Sequence, residues 1–300
     1  MTRTLIDPHA LPCARQLFER LQSVYGQRIL TAQQEFPVPG RYEQEMEHIL
    51  RETGQLPAIR GMDFMHDDYE GTIARARDWH ARGGLVSICW HTGLEDLGYQ
   101  ECLAESPDFD ALFTPGTAEH TLLLRRWDDA AAALATLQAE GIPVLWRPFH
   151  EFNGAWFWWG KGGAEAFVRL WRWMVDYFMK EKQLHNLIWV LGFSGELQGD
   201  WYPGDAYCDI VGSDTYTLHT THAEAYRLLR ALCPGKMLTF HECGAMPEVD
   251  AFFEDGAPWL WMMPWHGEWC LEHNPPERLR QVYGHEKTLT LKDTKAWLEH

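Results

Sequence analysis

The sequence predicts one (β/α)8 barrel. Short apolar runs alternate with longer helical patterns, and eight such pairs can be counted along the chain. This order is typical of a parallel sheet with crossover helices, and several runs are continuously apolar, as strands covered on both faces require. No repeat or linker-like stretch interrupts the 300 residues, so a single domain over residues 1–297 is expected. The alternative is a doubly wound open sheet.

The elements follow in a regular order. The eight candidate strands are 28–33, 57–63, 85–90, 143–149, 187–191, 209–213, 237–240 and 259–263. The clearest helical patterns between them are 11–25, 117–139, 165–182 and 222–232. Gly141-Ile142-Pro143 follows the second of these helices as a stop signal, because glycine and proline end helices.

Composition and charge exclude some classes of partner. Acidic residues outnumber basic ones 43 to 26, for a formal charge of −17. Nucleic-acid binding depends on clustered Lys and Arg, so no nucleic-acid partner is expected and a neutral substrate fits better. No run of about 18 apolar residues is present, so no membrane partner is expected either. The 16 Trp residues indicate that some rings line a groove. Oligomeric state is left open.

The cysteines and the first residues of the chain indicate the cellular compartment of the protein. Seven Cys without paired C-x-x-C spacing indicate neither a disulfide framework nor a zinc site. Together with the lack of a signal-peptide pattern in residues 1–8, this predicts a cytoplasmic protein. The alternative is a secreted protein whose signal peptide has been removed from this chain. Residues 298–300 are interpreted as the remnant of a purification tag.

Two glutamates stand at the ends of predicted strands. Glu151 follows the fourth strand in the stretch 147–160, RPFHEFNGAWFWWG, and Glu242 follows the seventh in Phe240-His241-Glu242. A carboxylic acid can protonate a glycosidic oxygen, and indole rings can stack on sugar faces. Because the C-terminal strand ends of a barrel build its pocket, the two glutamates predict a two-carboxylate glycosidase.

Other candidate substrate contacts are polar or aromatic residues in or after the same strand ends. They are His91, His150, Trp156, Trp159, Trp201, Asp214, Tyr216 and Trp265. Trp156 and Trp265 are placed where an indole can form the floor of a sugar subsite. Arg147 has two candidate roles, an internal salt bridge that braces the barrel and a part in shaping the site.

The chain resembles glycoside hydrolase family 26, barrel enzymes best known as β-mannanases. Besides 147–160, the resemblance rests on 25–30 (YGQRIL), 57–64 (PAIRGMDF), 201–205 (WYPGD) and 209–216 (DIVGSDTY), and it covers nearly the whole chain.

The resemblance also implies roles for individual residues. It implies that Glu151 is the acid/base and Glu242 the nucleophile of a retaining mechanism, with Tyr216 as the expected donor to Glu242. It further implies that His91 and His150 contact the sugar. His266 stands where mannanases of the family often carry Arg, which implies a different specificity at the donor-side subsites.

No metal and no cofactor are expected. Both His-Glu pairs lack the second His of H-E-x-x-H, since 150–154 is HEFNG and 241–245 is HECGA. The leading hypothesis is a retaining endo-β-1,4-mannanase acting on mannan or manno-oligosaccharides. The alternatives are a β-1,3-1,4-glucanase, a β-1,3-xylanase, an exo-acting mannobiohydrolase with a blocking loop in 93–115, and a non-catalytic mannan-binding barrel.

Overall fold

Eight parallel strands close into a ring in the computed structural model, which describes residues 4–95, 98–195 and 197–298. They are β1 (Ile29–Gln34), β2 (Ile59–Asp63), β3 (Leu85–Trp90), β4 (Val144–Pro148), β5 (Leu187–Ser194), β6 (Ile210–Thr215), β7 (Met237–Cys243) and β8 (Trp261–Pro264). The ring closes because β1 pairs with both β2 and β8. The barrel prediction is confirmed and the doubly wound alternative is wrong. A two-residue strand, β9 (Thr288–Leu289), pairs with β1 outside the ring.

Helices lie between successive strands except between β5 and β6, where the described residues form two 3-10 turns, Gly199–Trp201 and Asp205–Tyr207. The helices are α1 (Pro12–Val24), α2 (Gln44–Thr53), α3 (Tyr69–Ala81), α4 (Tyr99–Ala104), α5 (Phe109–Leu112), α6 (Ala118–Ala139), α7 (Gly163–Asp176), α8 (Ala223–Leu232), α9 (Val249–Glu254), α10 (Glu268–Leu271), α11 (Pro276–Gly284) and α12 (Leu291–Leu298). The four clearest helical patterns are confirmed as α1, α6, α7 with its π-helical extension Tyr177–Glu181, and α8. Thr117 caps α6 by accepting the His120 N–H at 3.3 Å.

Three strands extend beyond their predicted ends at 191, 213 and 240. β5, β6 and β7 continue to Ser194, Thr215 and Cys243. The added residues pair with neighbouring strands, as in Ser194 with Asp214 and Thr215 with Cys243, and such backbone pairing does not depend on side-chain polarity. Asp214 and Glu242 therefore lie within strands, where the sheet holds their backbone in place.

The core fills one end of the barrel. The buried face of α1 packs with residues from the N-terminal parts of the strands, including Leu30, Leu85 and Ile188, and so closes that end. A second cluster fills the layer between strands and helices. Any pocket formed by the strands must therefore open at their C-terminal ends, as in other barrels of this architecture.

The last helix includes Leu298, the first of the three residues interpreted as the remnant of a purification tag. Leu298 ends α12 and packs, partly buried, against the apolar cluster that α1 covers. The other two residues assigned to a tag, Glu299 and His300, lie outside the described residues. No helix in the described ranges combines the length and apolar character needed to cross a membrane.

Candidate active site

A cavity of about 460 Å³ opens at the C-terminal ends of the strands. Its lining residues are Phe36, Pro37, Val38, Met65, His91, Tyr99, His150, Glu151, Phe157, Tyr216, Glu242, Trp265, His266 and Trp269. The structure thus brings together both predicted catalytic glutamates and four of the predicted substrate contacts, namely His91, His150, Tyr216 and Trp265.

The turn after β4 directs Glu151 toward this pocket. Phe149 and Glu151 have φ values of 48° and 55°, so two non-glycine residues adopt left-handed backbone conformations. Such conformations cost about 1–2 kcal/mol per residue and are concentrated at functional sites. The Glu151 N–H donates to the Gly192 carbonyl at 2.8 Å, which anchors the turn to β5.

Glu242 is held from two sides. The Tyr216 hydroxyl donates to its Oε2, and Nη1 of Arg147 donates to its Oε1 at 2.7 Å. Nη2 of the same guanidinium donates to Asp214, so one buried arginine bridges two carboxylates on different strands. Arg147 therefore has both of the roles considered for it, since its salt bridges brace the barrel and also orient Glu242.

The two glutamates lie close together. One carboxylate oxygen each of Glu151, Asp214 and Glu242 lies within 4.8 Å of the others. Retaining glycosidases place their two carboxyl groups about 5–5.5 Å apart, whereas inverting enzymes separate them by about 6.5–9.5 Å to admit a water molecule. The spacing here matches the retaining arrangement.

The environment favours a protonated Glu151. Burial, followed by the nearby negative charge of Glu242, raises the pKa of Glu151 to about 7. Trp156 opposes this shift, because its Nε1–H donates to Oε2 of Glu151 at 3.0 Å and so favours the charged form. At neutral pH a substantial fraction of Glu151 can therefore donate a proton.

The remaining predicted contacts lie at different depths. Trp265 lines the pocket, while Trp156 stands at its rim with 40% of its surface exposed. Asp214 was also predicted to contact the substrate, but it is buried behind Glu242, does not line the cavity and contacts Arg147, so it supports the pocket from within the barrel wall instead.

Two predicted tryptophan contacts also need correction. Trp159 is fully buried and donates its Nε1–H to the His150 carbonyl at 2.8 Å, so it fixes the backbone beneath the pocket. Trp201 packs against Phe152 and Phe167 at ring distances of 6.0 and 5.9 Å, in the layer outside the strands. Neither ring lines the cavity, because each turns its face toward the core.

Several lining residues were not singled out in the sequence. Phe36 follows β1 and lies against His266, with ring centroids 4.5 Å apart. Tyr99 at the start of α4 and Trp269 in α10 also reach the pocket. Phe36, Tyr99 and Trp269 all lie in loops or short helices after barrel strands, so an aromatic residue in such a segment was the signal in the sequence that could have identified them. Residues 96 and 97 of the suggested blocking segment lie outside the described residues.

Comparisons with known proteins agree with this geometry. The model of Glycosyl hydrolase family 26 matches residues 6–294. The chain belongs to this family. A curated family relative from Thermothelomyces thermophilus, a mannan endo-1,4-β-mannosidase, is 34% identical over 99% of this chain and 64% of its own length. Mannan endo-1,4-β-mannosidase B of Piromyces sp is 28% identical over 98% of this chain and 54% of its own. This family 26 chain thus spans somewhat more than half of each relative.

Solved structures of mannanases share the fold of nearly the whole chain. A ruminal endo-β-1,4-mannanase superposes with a TM-score of 0.92 at 31% identity, over 98% of this chain and 70% of that one. A β-mannanase from a symbiotic protist of the termite Reticulitermes speratus, complexed with gluco-manno-oligosaccharide, gives 0.89 at 28% identity over 98% of both chains. The family resemblance predicted from the sequence motifs is confirmed.

Proposed function

We propose that this protein is a retaining endo-β-1,4-mannanase. The mechanism rests on the spacing of the two glutamates, whose nearest carboxylate oxygens lie within 4.8 Å. The substrate rests on the relatives, since curated proteins that match nearly the whole chain are named mannan endo-1,4-β-mannosidases. A neutral polysaccharide also suits a chain with a formal charge of −17.

The first step forms a covalent intermediate. An oxygen of Glu242 attacks the anomeric carbon of the mannosyl unit while the bond from that carbon to the bridging oxygen breaks. Glu151 gives its proton to this oxygen, so the leaving chain departs with a free hydroxyl group. Arg147 and Tyr216 already hold Glu242 by hydrogen bonds, so little reorganisation is needed before attack.

The second step releases the sugar. Glu151, now ionised, takes a proton from a water molecule whose oxygen attacks the anomeric carbon, and the bond from that carbon to Glu242 breaks. Two displacements at one carbon retain the β configuration. His91 and His150 are proposed to bind the hydroxyl groups of this sugar, with Trp265 against its apolar face and Trp156 beside the leaving chain.

Product analysis tests the substrate and the mechanism together. The purified protein is incubated in parallel with linear β-1,4-mannan, mixed-linkage β-glucan and β-1,3-xylan. We expect cleavage of mannan to products of mixed length, with the new reducing end first seen as the β anomer by NMR. Release of mannobiose alone would indicate exo action, and cleavage of another polymer would change the substrate. Tight mannan binding without cleavage would support the non-catalytic alternative.

The pH dependence of turnover tests the role of Glu151. Since Glu151 must be protonated in the first step and burial raises its pKa to about 7, kcat/KM should fall as the pH rises through that value. Trp156→Phe removes the indole N–H that favours the ionised carboxylate of Glu151. This fall in kcat/KM, the basic limb of the pH profile, should therefore move to higher pH. A basic limb at the same pH in both proteins would contradict the effect of Trp156 on Glu151. A flat profile between about pH 5 and 9 would contradict the role of Glu151 as the general acid.

A further inference from the structure

A buried aspartate lies directly behind the pocket. Asp63 ends β2 and does not line the cavity, yet its Oδ2 lies 2.5 Å from Nδ1 of His91. Its other oxygen accepts the backbone N–H groups of His91 at 3.0 Å and Met65 at 2.9 Å. Asp63 therefore holds both the backbone and the ring of His91.

This contact orients the His91 ring. Because Nδ1 faces Asp63, Nε2 is the nitrogen that can meet a ligand in the pocket that His91 lines. Aromatic rings restrain it further, since the centroids of His150, Phe157 and Trp265 lie 4.5, 5.3 and 6.0 Å from that of His91. The ring cannot turn without displacing these neighbours.

We propose that Asp63 is a positioning residue that keeps His91 as an imidazolium and directs its Nε2–H toward the sugar between Glu242 and Glu151. A charged donor at this place stabilises a sugar oxygen more strongly than a neutral one, and a fixed ring supplies it without reorganisation. The nature of the ligand rests on the proposed function, whereas the charge state of His91 does not.

A comparison of the two pocket histidines supports the assignment. His150 is as deeply buried as His91, but its Nδ1 has no hydrogen-bond partner among the described residues. Burial, then the positive charge of Arg147, lowers the pKa of His150 well below its ordinary value, so its ring is neutral. Burial also acts to lower the pKa of His91. The charge of Asp63 and the hydrogen bond between Asp63 and His91 outweigh burial, so the pKa of His91 is raised overall. Among the described residues, the His91 ring is hydrogen-bonded to a carboxylate, whereas Nε2 of His150 lies 3.7 Å from Oε1 of Glu242, beyond hydrogen-bond distance.

The other titratable groups around His91 either raise its pKa further or carry no charge at neutral pH. Glu242 and Glu151 add to the rise in its pKa. The titratable groups that face the ring from the surrounding elements are Asp63, Cys89, Tyr99, His150, Glu151, Glu242 and His266. Burial raises the pKa values of Tyr99 and Cys89 and lowers that of His266, so these groups are uncharged at neutral pH.

The same side chains fit a hydrogen-bonded pair better than a metal site. Asp63, Cys89 and His91 each place one possible ligand atom within 4.8 Å of the others. Metal binding would need Cys89 as a thiolate, but burial raises the pKa of this thiol well above its ordinary value and its Sγ–H donates to the Met62 carbonyl at 3.4 Å. The Asp63–His91 contact is thus explained without a bound ion.

Asp63→Asn in the full chain tests the proposal. The Asn Oδ1 can still accept both backbone N–H groups, while its Nδ2 would donate to Nδ1 of His91 and make the ring neutral with Nε2–H. We expect kcat/KM to fall by about 10- to 100-fold, mainly through kcat. The basic limb of the pH profile should also move upward, because the positive charge of His91 lowers the pKa of Glu151.

NMR gives a readout that does not depend on activity. With ¹⁵N-labelled histidine, the His91 signals are identified by their loss in His91→Gln. We expect both ring nitrogens of His91 to carry protons in the wild-type protein at a pH where His150 is neutral, and only Nε2 to do so in Asp63→Asn.

A matched control variant separates the loss of the His91 charge from a general loss of stability. Asp209→Asn alters another buried aspartate, which accepts backbone N–H groups from Ile6 at 2.7 Å and Trp189 at 2.8 Å and lies before β6, at the other end of the barrel. This variant should lower stability without changing the His91 signals or the basic limb. A neutral His91 in the wild-type protein would overturn the proposal, as would equal effects of the two variants on the pH profile. Mannan left uncleaved by a wild-type protein with a charged His91 would reject the proposed function alone.

Discussion

Replacing Glu242 with Gln should lower mannan turnover by at least about a thousandfold while leaving the barrel folded. An amide cannot form the glycosyl ester on which both displacements depend. The fold should survive because the amide oxygen can still accept from Arg147, and the Tyr216 hydroxyl can turn to accept from the amide N–H. Turnover is measured by reducing-end release, and thermal unfolding of the same sample checks the fold. Wild-type turnover in this variant would end the assignment of Glu242.

Azide distinguishes the roles of the two glutamates. In Glu242→Ala, azide can enter the space left by the carboxylate and form a bond to the anomeric carbon as the leaving oxygen departs with the proton of Glu151. One displacement gives an α-mannosyl azide. In Glu151→Ala with an activated leaving group, the sugar is first transferred to Glu242, and azide then gives the β product. The same anomer from both variants would contradict the assigned roles.

The sequence was most informative where chemistry and strand order coincide. Glu151 and Glu242 could be placed at one edge of the barrel because the C-terminal ends of parallel strands meet there. The spacing of apolar runs also predicted the closed ring. Both inferences depend only on where the glutamates and the apolar runs stand along the chain, and these positions can be read from the sequence.

Side-chain direction could not be obtained in the same way. Trp156 and Trp159 belong to one aromatic stretch, yet the first stands at the pocket rim and the second is buried below His150. Glu151 and Ala155 adopt left-handed backbone conformations within this stretch, and no periodic pattern in the sequence marks these positions. Asp63 was likewise hidden, because its partner His91 lies 28 residues further along the chain.

Replacing Arg147 with Met should damage both stability and catalysis. Its guanidinium is fully buried between Asp214 and Glu242, so removal leaves two neighbouring carboxylates without a positive charge. Breaking a buried ion pair from one side costs about 3–5 kcal/mol. Burial already raises the pKa of Asp214 well above its ordinary value, and the Arg147 charge opposes this rise, so without that charge one of the two groups should take up a proton. The acidic limb of kcat/KM should therefore move to higher pH, as a pH profile together with urea unfolding would show.

Two further variants separate the charge of Arg147 from its volume. Arg60→Met removes another deeply buried arginine, whose Nε donates to Glu35 at 2.8 Å, and it should destabilise the barrel while leaving the acidic limb in place. Adding Asp214→Asn to Arg147→Met removes one of the two unpaired charges, so it should recover part of the lost stability and return the limb toward the wild-type pH. If Arg147→Met and Arg60→Met had the same pH profile, Arg147 would only brace the barrel. A shifted limb that Asp214→Asn restores would instead show that the Arg147 charge offsets the repulsion between the two carboxylates.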